Sequence, residues 1–205
     1  MRIEYHRTLI ADKARNQALY QALKDLIIKG KSVIADIGTG TGLLALIALK
    51  LGAKEVHLYE DSPEMAQLAH AIMKKNYAKN YYLYPCRSTE MIDPPKVDLI
   101  ISETFGNYAL EENIIETLND ARKRMLKVGG KIIPSQLMQY ASPVISPRIA
   151  EELDAWSRVG HGLNLSPAHF KSLNNIYSVS VTFPFYQYYI FAPKSNHFFP
   201  YKKEL

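Results

Sequence analysis

The stretch "SVIADIGTGTGLLALIALKLG", residues 32–52, decides the fold. It opens as a short apolar run with β-branched residues and closes that run on an acid, Asp36. Three glycines follow in alternate positions, Gly38, Gly40 and Gly42. Residues 43 to 51 are then apolar almost all round, and Gly52 stops them. This is the pattern of a buried strand, a tight turn, and a helix packed between a sheet and a second layer. Alternate glycines let a backbone come very close to a ligand, and the helix start offers free N–H groups to a polar or anionic one. The spacing excludes two common ligand classes. A dinucleotide fingerprint needs its third glycine at position 43, which is Leu43, and no Gly-Lys-Ser/Thr follows for a phosphate-binding loop.

Working outward, Leu19, Ala22, Leu23, Leu26 and Ile27 recur at helical spacing ahead of Gly30 and predict a helix over 12–29. "EVHLYE" (55–60) reads as a second strand. Asp61 is placed to cap the next helix, with Pro63 and Glu64 in its first turn, and that helix runs to about Asn76. "YYLYP" (81–85) and "KVDLIIS" (96–102) are further strands. Residues 111–127 are helical, with Ile114, Ile115, Leu118, Ala121, Met125 and Leu126 on one face. Gly129-Gly130 then breaks the chain before "KIIP". Strands alternating with helices imply an α/β fold, a parallel Rossmann-like sheet with helices on both faces.

The character changes near Pro134. A helix is expected from Pro147 to about Trp156, capped by Ser146, and a short one near Ser166. Aromatic residues crowd positions 177–205, where "YSVSVTF" and "FYQYYIF" read as strands. The division is therefore residues 1–134, a cofactor-binding domain with its N-terminal helix, and residues 135–205, a helical arm with a short β-rich segment.

Composition is that of an ordinary globular chain: 205 residues, 47% hydrophobic and 22% charged. No apolar run is long enough to span a membrane, and the polar N-terminus has no signal-peptide core. The single cysteine, Cys86, allows no internal disulfide, fits a reducing cytoplasm, and reads as a small buried hydrophobe. Six scattered histidines lack metal-ligand spacing, so no metal is expected. The net charge of +5 permits an acidic partner, but the basic residues come in short clusters that read as solvated faces, which argues against nucleic acid.

Glu60 sharpens the ligand. An acid at the end of the second strand accepts hydrogen bonds from ribose hydroxyls. A ribose without a pyrophosphate site points to S-adenosylmethionine, with its carboxylate near the glycine turn. Adenine is then expected near the end of the third strand, beside Ser88, Thr89 and Glu90. The cofactor residues read from this region are Asp36, Gly38, Gly40, Gly42 and Glu60, with those three.

With these residues in place, the chain resembles the class I methyltransferases. "VDLIISETFGNYALEE" (97–112) is similar to the double-glutamate loop of the protein arginine methyltransferases. In that family a Ser-Glu pair ends the fourth strand, a glycine follows, and a second glutamate lies nine residues after the first. Here these are Ser102-Glu103, Gly106 and Glu112, with Glu111 as the neighbouring register. His6, Asp12 and Arg15 match an upstream His and Asp-x-x-Arg, whose arginine grips the cofactor carboxylate. Residues from about 147 to 176 resemble the family's dimerisation arm, and the chain reads as a member with a truncated barrel. The resemblance implies catalytic roles for Glu103 and Glu112, cofactor binding by Arg15, a homodimer through the arm, and arginine as methyl acceptor. Other protein side chains or small molecules stay open as acceptors, and so does a weakly catalytic cofactor-binding module.

Overall fold

The computed structural model describes residues 3–105, 113–137, 144–145, 147–174 and 189–190. The chain divides into two compact units, Met1–Met138 and Gln139–Leu205.

The first unit is built on five parallel strands: β1 (Val33–Ile37), β2 (Glu55–Tyr59), β3 (Tyr81–Tyr84), β4 (Val97–Ser102) and β5 (Leu126–Ile133). Their order across the sheet is β3-β2-β1-β4-β5. β1 is central and buried along its whole length, which is why it reads as a continuous apolar run. Sheet order reverses at β1, so the ends of β1, β2 and β4 converge where parallel sheets bind ligands.

Helices α1 (Ile3–Ala11), α2 (Lys13–Leu26), α3 (Leu43–Lys50), α4 (Pro63–Lys75) and α5 (Ile114–Arg124) dress the sheet. On one face, Leu44, Ala45 and Ala48 of α3 and Met73 of α4 pack on Ile34, Val56 and Leu58, and Leu23 of α2 closes over α3. Leu23 is fully buried, which contributes about 1.5–3 kcal/mol. On the other face, Ala121 and Met125, at the end of α5, pack on Val33, Ala35, Val97 and Ile100. The same face of β2 and β3 carries a ladder of rings. His57 stacks on Tyr82 at 5.0 Å and on Tyr84 at 6.0 Å, and Tyr84 stacks on Tyr59 at 5.0 Å. The connection from β3 to β4 supplies only a 3-10 turn, Ser88–Glu90, and no α-helix.

Several expected boundaries move. The predicted 12–29 helix is α2, and it stops at Leu26 because Ile27 turns extended. Asp12 caps it, accepting from Arg15 N at 2.9 Å, and this cap separates it from α1, which the periodicity did not reveal. The cap of α4 is Ser62, not Asp61. Pro63 needs no N–H at the first helical position, so the residue just before it becomes the cap, and Asp61 is left free to pair with Arg87. α5 ends at Arg124 rather than 127, because β5 begins at Leu126. Gly129-Gly130 lies inside that strand, in a bulge where the register passes from Val97↔Leu126 to Leu99↔Lys131. Cys86 is half-buried rather than buried.

In the second unit, β6 (Val144–Ile145) pairs antiparallel with β7 (Tyr189–Ile190). Helix α6 (Pro147–Leu153) continues as a 3-10 turn through Ser157, and α7 (Ser166–Leu173) follows. β7 falls within the expected second aromatic strand, whereas "YSVSVTF" lies outside the described residues. Among the described residues no helix is long and apolar enough to cross a membrane.

Candidate functional site

A cavity of about 590 Å³ opens at the carboxyl ends of β1, β2 and β4, a size usual for small-molecule sites. Its floor is the glycine turn after β1, its walls are Glu60 and Glu103, and residues of α1 together with Arg15 of α2 line the rest.

Two carboxylates hold the glycine turn. Asp36 Oδ2 accepts from Thr39 Oγ1 at 2.7 Å and from Ala45 N at 3.1 Å, tying both ends of the turn to the strand. Burial pushes the Asp36 carboxyl up to about 6, against the pull of those two hydrogen bonds. Glu60 Oε2 accepts from Gly40 N at 2.8 Å, and its Oε1 accepts from Ser62 N at 3.0 Å. The turn is thus pinned to β1 by one acid and to β2 by the other.

The glycines serve different ends. Gly40 has φ +54, and a Cβ there would lie 2.6 Å from His6 Cε1, so its backbone and the His6 ring fill the same gap. Gly42 has φ +79 and caps α3. A Cβ there would press Met73 Cε at 3.1 Å, so this glycine seats α3 against α4 and does not line the cavity. Gly38 lines the cavity with Gly40.

At the opposite wall, Arg15 Nη2 donates to Glu103 Oε2, and Arg15 Nη1 donates to Asn16 Oδ1 at 2.9 Å. Two buried nitrogens here have no partner: Arg15 Nε and His6 Nε2. Burial lowers the pKa of His6. Arg15 is the only lysine or arginine among the lining residues described. Such a set fits a small ligand carrying a carboxylate and a ribose. Glu60 suits hydroxyls, and the empty Arg15 donor suits a carboxylate.

Of the residues read from sequence, Arg15, Asp36, Gly38, Gly40, Glu60 and Glu103 come together in this cavity. Ser88, Thr89 and Glu90 do not line it. They form the turn after β3, and Arg124 Nη2 donates to the carbonyls of Ser88 and Thr89, at 3.0 and 3.3 Å. Arg124 Nη1 also donates to the Met91 carbonyl, and Asp120 braces the guanidinium through both oxygens. Ser88 Oγ is buried without a partner. Glu112, with Glu111 and Gly106, lies outside the described residues. Sequence reasoning did not name Ser62 or Met65, and gave Thr104 and Phe105 no place in the site; all four line the cavity. Ser62 and Met65 could have been found, since they begin the helix that follows Glu60.

A family model described as ribosomal protein L11 methyltransferase (PrmA) matches residues 17–159. Protein arginine N-methyltransferase 2 of Dictyostelium discoideum is 32% identical over 169 residues, which cover 81% of this chain and 33% of that protein. Probable protein arginine N-methyltransferase 6.1 of Oryza sativa subsp. indica is 36% identical over 168 residues, covering 80% and 44%. Among solved structures, the Trypanosoma brucei PRMT1 enzyme-prozyme heterotetrameric complex with AdoHcy is similar with a TM-score of 0.69 and 26% identity. That match covers 82% of this chain and 53% of the other. The chain spans less than half the length of either curated relative. Its sheet order, its doubly anchored glycine turn and the family match lead to one conclusion: the chain belongs to the PrmA family, within the class I S-adenosylmethionine-dependent methyltransferases, and resembles the protein arginine methyltransferases.

Proposed function

We propose that this protein transfers a methyl group from S-adenosylmethionine to a guanidino nitrogen of arginine. The observation that supports the reading most is the contact of Glu103 with the guanidinium of Arg15, a group of the acceptor's own kind at the cavity wall. When bound, the cofactor supplies a sulfonium methyl. Glu60 would hold its ribose and Arg15 its carboxylate, with Gly38 and Gly40 giving backbone clearance and Asp36 fixing the turn. Gly42 supports α3 beneath them. Ser88, Thr89 and Glu90 remain the candidates for adenine.

A guanidinium is planar and stays charged, so it must be held and polarised rather than simply deprotonated. Glu103 and Glu112 would take its N–H pairs and draw positive charge away from the remaining nitrogen. That nitrogen must then sit about 3–3.5 Å from the methyl carbon and in line with its bond. The cofactor would supply the methyl carbon and keep the broken bond's electrons on sulfur, and Glu103 would accept the one proton that the methylated nitrogen gives up.

The reading extends to the rest of the chain. Residues 1–134 form the cofactor domain, and residues 135–205 hold the arm that pairs two copies; the heterotetrameric complex named for the Trypanosoma relative fits oligomer formation in general. A cytoplasmic location fits the lone cysteine. The family's own description names a ribosomal protein, which keeps a different protein side chain as the second reading for the acceptor.

The test is transfer from methyl-labelled S-adenosylmethionine to arginine-containing and lysine-containing peptides, with the label located by mass spectrometry. Label on arginine is expected, with a loss of about a hundredfold or more in Glu103→Gln at retained cofactor binding. Label on lysine alone, or equal loss of binding and transfer, would sink the arginine assignment.

A further inference from the structure

Arg15 and Glu103 have duties in the proposed reaction that their contact does not allow them to perform together. Glu103 must be free to hold an acceptor guanidinium, yet it holds Arg15. The empty Nε of Arg15 is buried in the cavity without an acceptor. In a guanidinium, Nε and one terminal nitrogen form a fork that takes both oxygens of a carboxylate. Here one tine is empty and Nη2 is spent on Glu103.

Any anionic group entering the cavity meets Arg15, because no other lysine or arginine is among the described lining residues. Nη1 is already engaged by Asn16, which fixes the orientation of the plane. Asp12 caps the first turn of the same helix through Arg15 N, so the backbone beneath the side chain is fixed too. A carboxylate that takes the whole fork therefore shares Nη2 with Glu103, and the two negative charges repel each other across that one nitrogen.

We infer that Arg15 acts as an internal stand-in for the acceptor: it occupies Glu103 until the carboxylate of a cofactor takes the guanidinium, and only then is Glu103 open to an acceptor. The contact thus sets the order of binding, cofactor before acceptor, and keeps the glutamate from capturing stray guanidinium groups beforehand. The inference rests on the roles proposed above for Glu103 and Arg15.

The test is equilibrium binding by calorimetry, without turnover. The probes are S-adenosylhomocysteine, which carries the carboxylate, and 5′-methylthioadenosine, which lacks it. If the cofactor must break the pair, Glu103→Gln tightens S-adenosylhomocysteine about three- to tenfold, because a neutral amide holds Arg15 less strongly than the carboxylate does. Binding of 5′-methylthioadenosine stays unchanged and serves as the control for an intact fold. Loss of a nearby negative charge could also favour an anionic ligand, so the same change is made in an Arg15→Met background, where the gain must vanish. Unchanged or weaker binding in Glu103→Gln overturns the inference, and so does a gain that survives without Arg15. Each of those results leaves the methyltransferase reading standing. Wild-type protein that binds neither probe overturns both.

Discussion

Asp36 offers a quantitative test of how the cofactor turn is held. Its carboxyl is buried, and its pKa is pushed up to about 6 from the ordinary 3.8. The unfolded chain therefore ionises this group more readily than the folded one. Stability that is full below pH 3.8 is lost as pH rises through 6. The cost of ionised Asp36 is about 2 kcal/mol at pH 5 and about 3 kcal/mol at pH 7.5. Asp36→Asn keeps a carbonyl oxygen to accept from Thr39 and Ala45 but carries no charge. The stability of the variant relative to wild type should rise by about 1 kcal/mol between pH 5 and pH 7.5. For a chain of this size that is about 2–4 °C in Tm. The comparison must be made as a difference between the two proteins. Burial lowers His6 and His57, so both histidines cost stability as pH falls, in the opposite sense to Asp36. They are common to both proteins and cancel. Thermal unfolding across five buffers from pH 5 to pH 7.5 is sufficient. A Tm gap that stays constant across that range, or narrows with rising pH, refutes the account of Asp36 as a buried, charge-penalised anchor.

Gly42→Ala should lower stability by about 1–3 kcal/mol in chemical denaturation, since φ +79 strains any side chain and Met73 must yield. Arg124→Ala should lower stability by about 1–3 kcal/mol, because three carbonyls after β3 lose their donor and Asp120 its partner; a Tm unchanged within 1–2 °C would show that the clamp is ornamental. Glu60→Gln should weaken S-adenosylhomocysteine about tenfold or more by calorimetry, as an amide replaces the acceptor of two backbone N–H groups and, in the proposed reading, of the ribose.

The centre of the fold was legible because burial there leaves a one-dimensional trace. The apolar run of β1, the glycine turn and the all-round apolar α3 are neighbours in sequence as well as in space, and so is Glu60 at the end of β2. What was not legible depends on partners distant in sequence. The pairing of Arg15 with Glu103 joins residues 88 positions apart, and each residue alone suggests only its own role. The start of β5 was hidden because Met125 and Leu126 continue the apolar stripe of α5, while Val97 N–H takes the Met125 carbonyl at 2.8 Å and draws the chain into the sheet. The short α1 buries no residue in the core, and its Leu9 and Ile10 line the cavity instead. The shift of the α4 cap from Asp61 to Ser62 was decidable from Pro63 alone.

The ring ladder on β2 and β3 has a consequence for how water reaches the interior. Over β1 and β4 the sheet is covered by helices, whose backbones are braced by their own hydrogen bonds. Over His57 the seal includes side chains, Tyr82 and Tyr84, and Tyr82 is 50% exposed. Rings can swing aside without unfolding anything, whereas a helix cannot. The molecule is therefore more permeable at this rim than at its centre. Hydrogen-exchange protection should decline in steps from β1 through β2 to β3.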